Sequence, residues 1–161
     1  MTTTNSQSSL EQWIDWLLHL HADEIDLGLD RIRLVANQMH VNQPAPYVIT
    51  VAGTNGKGSS VAMLSAILKA AGYQVGTYTS PHILEFNERI QINNCSVDDQ
   101  TIVNAFDLIE KQRKQTKLTY FEFSTLAALS IFTEAKLDVV VLEVGLGGRL
   151  DAVNIVDANA S

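Results

Sequence analysis

Residues 48–64, VITVAGTNGKGSSVAML, join an unbroken apolar run to a helix-like run through three glycines and a lysine. A continuous apolar segment such as YVITVAG, bounded by turn residues, predicts a strand covered on both faces, as parallel sheets require. Residues 59–71 carry the small and aliphatic side chains of a helix packed on a sheet, with Gly72 as its C-cap, and QVGTYTS predicts the next strand. Strand, glycine turn, helix and strand within about 30 residues is the length of one right-handed parallel crossover.

The remaining chain repeats this alternation. Leu10, Trp13, Ile14, Leu17 and Leu18 fall at helical spacing, predicting a helix that starts near Ser8 or Ser9 and turns this stripe to the core. Leu29, Ile32, Val35, Ala36 and Met39 mark a second helix that stops before Pro44-Ala45-Pro46. ERIQIN alternates like a half-exposed strand, and SVDDQTIVNAFDLIEKQRK predicts a surface helix opened by a capping box of Ser96 and Asp99. FEFSTLAALSIFTEA is apolar nearly all round and predicts a buried helix, while DVVVLEVG is a second continuous apolar strand. The sum is a doubly wound, mostly parallel α/β sheet with helices on both faces. At 161 residues and 46% hydrophobic, the chain can bury one sizeable core.

Charge narrows the function. With 18 acidic against 11 basic residues, a net charge of -7 and no basic cluster beyond EKQRKQTK, a general nucleic-acid or anionic-membrane surface is not expected. An anionic ligand therefore needs a local site. A single cysteine, Cys95, excludes an internal disulfide framework and fits a reducing, cytoplasmic compartment. The polar start MTTTNSQSS has no signal-peptide pattern and is expected to fray, and no run is apolar for long enough to span a bilayer. His19, His21 and His40 have no partners at metal-binding spacing.

The P-loop pattern G-x-x-x-x-G-K-[ST] is not met: Val51 stands at its first glycine and Gly58 separates Lys57 from Ser59. Its physical parts are present. Gly53, Gly56 and Gly58 let backbone N–H groups converge on an anion, Lys57 adds charge, and Ser59 opens a helix whose N-terminus favours phosphate. The competing reading is a glycine-rich turn with a solvated lysine. Glu143, following DVVVL, lies at the carboxyl end of a buried parallel strand, where open α/β sheets place ligands. Its competing reading is a structural ion pair with Arg149.

VAGTNGKGS resembles the nucleotide loop of the amide-forming ligases that include the cell-wall Mur ligases and the folylpolyglutamate synthases. TSPHILEFNERIQIN, LTYFEFSTLAAL and VLEVGLGGRLDAVNIVD are similar to the folate branch, in the same order, and the resemblance runs from IDLGLDRIRLVA to Asp157. It implies a Mur ligase-like central ATPase domain in which ATP phosphorylates a pteroate or folate carboxylate and the amine of L-glutamate attacks the acyl phosphate. The implied cofactors are ATP and Mg2+. By position, Thr54, Asn55, Gly56, Lys57, Gly58 and Ser59 would hold the phosphates. Ser59, Ser80 and Glu143 would hold magnesium, with Lys57 and Glu143 as the catalytic pair. Asp26, Leu27, Gly28 and Leu29, then Thr119, Tyr120, Phe121 and Glu122, then Leu150, Asp151 and Ala152, would hold dihydropteroate or folate. Tyr120 and Phe121 read equally as core, and His82 in SPHIL as ligand, phosphate contact or loop anchor.

Members of that branch continue beyond NIVDANAS with a metal-binding histidine, a carbamylated lysine and a C-terminal domain. Residues 1–161 are accordingly expected to be the N-terminal part of an ATP-binding ligase domain. Alone, the chain is expected to be inactive, with an open sheet edge that invites self-association, whereas the full-length protein would be monomeric. Its partners are expected to be small molecules. Another Mur-type amide ligase and a non-enzymatic nucleotide-binding remnant are the alternatives.

Overall fold

A computed structural model describes residues 5–20 and 28–161, so His21, Asp26 and Leu27 lie outside the described residues. The organising strand is the last: β5 (Val139–Glu143) is buried at all five positions. β1 (Tyr47–Val51) and β2 (Val75–Tyr78) flank it, both parallel to it, with Thr50 opposite Leu142 and Thr77 opposite Val141. β3 (Ile90–Ile92) and β4 (Cys95–Ser96) extend the sheet antiparallel beyond β2, giving the order β1-β5-β2-β3-β4.

The two-residue pleat of these strands sorts their side chains between two layers. Val75, Val139 and Val141 meet Val61 of α3 (Lys57–Ala70) on one face. Val48, Tyr78, Val140 and Leu142 face the larger layer, built from α1 (Leu10–Leu20), α2 (Asp30–Met39), α4 (Asp99–Arg113) and α5 (Tyr120–Ala135). In that layer α5 is buried nearly all round, as its composition predicts. Its approach to β2 depends on Gly76, where a Cβ would stand 2.5 Å from Leu137 Cδ1 and 2.9 Å from Phe132 Cδ1. Trp13, Phe106 and Phe123 pack together, with ring centroids 5.6 to 6.4 Å apart, and join α1, α4 and α5.

Several local expectations are corrected. Leu18 is 59% exposed: Leu10, Trp13 and Leu17 are the buried stripe of α1, with Ile14, Trp16 and Leu20 packed half-buried against the core, and Leu18 falls outside that face. α3 begins at Lys57, two residues before Ser59, since Gly56 takes the left-handed conformation (φ 75°) and turns the chain directly into the helix. Its C-cap is Ala71, and Gly72 follows with φ 94°. Ser96 does not cap α4: it pairs with Gln91 in the sheet, and Asp98 accepts from Thr101 N at 2.8 Å instead. Within ERIQIN, Glu88 and Arg89 close a 3-10 turn (Phe86–Arg89) before β3 starts. The outer edge of β1 is partly paired: Asn159 N donates to Val48 O at 2.8 Å and Thr50 N to Ala160 O at 2.9 Å.

Candidate active site at the carboxyl edge of the sheet

Three parallel strands end on one edge, and each hands its chain to a loop that carries site candidates. After β1, Gly53 (φ 153°) and Gly56 (φ 75°) make a turn that places Lys57 first in α3. The lysine folds back, Nζ donating to Gly53 O at 3.0 Å. No backbone N–H of residues 54–59 has a hydrogen-bond partner among the described residues. These orphan donors at the positive end of a helix fit an oxyanion with several acceptor oxygens.

After β5, Glu143 is 5% exposed, and its Oε2 accepts from Ser80 N, just past β2, at 3.2 Å. The expected approach of Ser80 to Glu143 is thus present. Among the described residues no cation forms an ion pair with Glu143; Arg149 lies exposed in the 3-10 turn Gly148–Leu150, so that pairing is not made. Gly58, Ser80 and Glu143 line a common cavity, which puts the start of α3 beside the buried carboxylate.

A second cavity, of about 270 Å³, opens on the other side of Ser80. Gly28, Thr119, Tyr120, Phe121, Glu122, Leu150, Asp151 and Ala152 all line it, although they come from three distant stretches of chain. Leu29 instead lines the crevice beside β1.

No family model matches the chain. It is 50% identical over 159 residues to the dihydrofolate synthase/folylpolyglutamate synthase of Escherichia coli K12, covering 99% of this chain and 38% of that protein. The solved structure of E. coli FolC in complex with DHPP and ADP superposes with a TM-score of 0.97 at 51% identity, over 98% of this chain and 38% of that one. The bifunctional Yersinia pestis enzyme complexed with AMPPNP and Mn ion gives 0.95 at 51%, over 99% and 39%. The chain belongs to the dihydrofolate synthase/folylpolyglutamate synthase family. It spans less than two fifths of the length of these relatives.

Within this chain, the cavity walls are built by specific contacts. Asp151, 2% exposed, accepts from Leu146 N at 2.7 Å and Val153 N at 3.1 Å, and so folds the loop after β5 around its own carboxylate. Burial pushes the Asp151 carboxyl above the usual carboxylate value, against the pull of those amides and of Lys57. Gly145 lets Phe121 lie on the loop backbone, since a Cβ there would stand 2.7 Å from Phe121 Cζ. Phe121 in turn tilts over Tyr78, whose wholly buried phenol is pushed far up by desolvation. Thr119 and Glu122 form a capping box at the start of α5. Glu122 Oε2 also accepts from Arg31 Nε at 2.9 Å, which ties α2 to α5, while its Oε1 is buried without a partner.

Four wall residues escape the sequence reading: Pro81 and Leu146, each next to another wall residue, and Gly145 and Arg89. Gly145 stands in the recognised VLEVGLGGRLDAVNIVD block, where its place between a strand and two further glycines was the available signal. Arg89 gave none, because ERIQIN alternates like any surface strand. It is 7% exposed, lines the cavity and donates from Nε to His82 Nδ1 at 2.8 Å. This contact gives His82 the part of a loop anchor. Burial and the neighbouring guanidinium hold its imidazole below the usual value, which keeps Nδ1 free to accept.

No group of three or more His, Cys, Asp and Glu gathers among the described residues. What is present among the described residues is the buried Glu143 carboxylate without an ion-pair partner, Ser80 just past the end of β2, and Ser59 exposed in the first turn of α3. That donor set fits a hard divalent cation that keeps waters and phosphate oxygens in its shell, as magnesium does, and does not fit zinc.

Proposed function

We propose that this chain supplies the nucleotide and pteroate walls of an ATP-dependent ligase that adds L-glutamate to dihydropteroate, to folates or to both, through an acyl phosphate. The observation that carries this reading is the meeting, beside Ser80, of an anion-fitting glycine loop and an apolar cavity lined by three separate stretches of chain. Residues 54–59 would take the ATP phosphates on their backbone N–H groups, with Lys57 released from the Gly53 carbonyl to meet phosphate charge. Ser59, Ser80 and Glu143 would hold Mg2+, which when bound neutralises phosphate charge and polarises the phosphoryl oxygens. Thr119, Tyr120, Phe121, Glu122, Leu150, Asp151 and Ala152, with Gly28 and the flanking residues 26–29, would seat the fused ring and aim the arm carrying the carboxylate at Ser80. Placing the carboxylate beside the phosphoryl donor is the main work asked of these walls.

No described helix is long and apolar enough to cross a membrane; with the acidic net charge, this supports a cytoplasmic enzyme of small-molecule substrates. Titration of the protein with MgATP and with dihydropteroate tests the reading. Binding of both is expected. Binding of MgATP alone would favour another Mur-type ligase or a nucleotide-binding remnant, and binding of neither would overturn the proposal.

A further inference from the structure

Arg89 is a buried cation without a buried anion. No ion pair among the described residues includes it, and the nearby carboxylates are engaged elsewhere. Glu88 accepts from the amides of Ile83, Leu84 and Glu85, Glu122 from Arg31 and Thr119, and Asp151 from Leu146 and Val153. The guanidinium is nevertheless held firmly. Its carbon lies 5.6 Å from the Phe86 ring centroid and 5.4 Å from that of Tyr120, and Nε is fixed on His82 Nδ1. Neither Nη nitrogen has a partner, yet neither is sealed from solvent, since the buried unpartnered side-chain atoms are Thr50 Oγ1 and Glu122 Oε1. Arg89 lines the cavity, and the Nη edge is the part of its fork left unpartnered.

We propose that Arg89 is a ligand-binding residue of this cavity, its free Nη edge taking an acceptor oxygen of the bound substrate. The inference rests on the pteroate reading and deepens it. A planar fork held against two rings and an imidazole loses little freedom when it pairs with an oxygen, and the bond it makes is charge-assisted. A pteroate offers two such sources, the carboxylate of its arm and the carbonyl of its ring.

The test compares the protein with its Arg89→Lys and Arg89→Met variants, reading dissociation constants for dihydropteroate, for a pterin lacking the aminobenzoate arm, and for MgATP. Dihydropteroate is expected to weaken by roughly 10- to 100-fold in both variants, the range for losing a hydrogen bond to a charged group, with MgATP binding unchanged. A parallel loss for the armless pterin assigns Arg89 to the ring carbonyl; a loss confined to dihydropteroate assigns it to the carboxylate. Arg89→Lys keeps the charge and the aliphatic stem, so it decides the matter if Arg89→Met does not fold. Dihydropteroate binding within twofold of the parent in a folded variant overturns the role of Arg89 while leaving the pteroate site intact. Failure of the parent itself to bind dihydropteroate removes both.

Discussion

Lys57 occupies a position that folding alone disfavours. A cation at the first residue of a helix opposes the positive end of the macrodipole, at a cost of about 0.3–1 kcal/mol, offset among the described residues by the hydrogen bond to the Gly53 carbonyl and the attraction of the Asp151 carboxylate. An incoming polyanion reverses the sign of that interaction. Lys57→Ala is therefore expected to leave the melting temperature unchanged or slightly raised. In the full-length enzyme it should lower kcat/KM by about 10²- to 10³-fold, the range for removing one well-placed charge from a phosphoryl-transfer site. Thermal melts and steady-state kinetics check the two halves separately, and activity within twofold of the parent rejects the assignment. Asp151 and Glu143 show a related division of labour. Asp151 is satisfied by loop amides and so organises the cavity wall, whereas Glu143 has one amide partner and no cation, which leaves its charge available to a metal.

Among elements, the seam between β2 and α5 is the most exacting. Gly76 lets Phe132 and Leu137 approach the strand, and a methyl group there would stand inside van der Waals contact of both. Gly76→Ala should destabilise the fold by about 1–3 kcal/mol, as overpacking of a tight core does, and lower the urea midpoint with little change in slope. A midpoint equal to the parent's would show that this seam relaxes. Element type was legible wherever pattern is continuous: the apolar runs of β1 and β5, the periodic stripe of α2 and the all-round apolar α5 each follow from local sequence. Element ends were less so, because Ser96 and Asp98 are both competent caps and only the pairing of Ser96 with Gln91 decides between them. The site divides in the same way. The glycine loop and Glu143 sit at strand ends and announce themselves, while Arg89 joins the cavity through packing against Phe86 and Tyr120, residues 3 and 31 positions away, which periodicity does not encode.

At the scale of the molecule, the parallel core of the sheet converges its loops on one edge, and the two cavities there share Ser80 as a common wall. This geometry brings a phosphate-fitting loop and an apolar ring-sized space together across Ser80 and Pro81, which line both cavities. The opposite problem is the lateral edge of β1, a row of backbone groups that would template pairing with another chain if left open. Here Asn159 and Ala160 share the covering: the backbone N of Asn159 donates to Val48 O, and its Oδ1 accepts from Val48 N at 2.8 Å, so Asn159 engages both backbone polar groups of Val48. Ala160 then continues in the parallel sense beside Ile49. Asn159→Ala removes the side-chain half of this clasp and should cost about 0.5–1 kcal/mol, the net value of one hydrogen bond at a solvent-accessible edge. The loss in stability is small, but freeing the Val48 N–H should matter more for association than for folding. Sedimentation velocity over a concentration series is expected to show a larger share of dimer and higher species for Asn159→Ala than for the parent chain, alongside a modest fall in urea midpoint. An unchanged sedimentation profile with a lowered midpoint would mean that residues 158–160 stabilise β1 without guarding its edge.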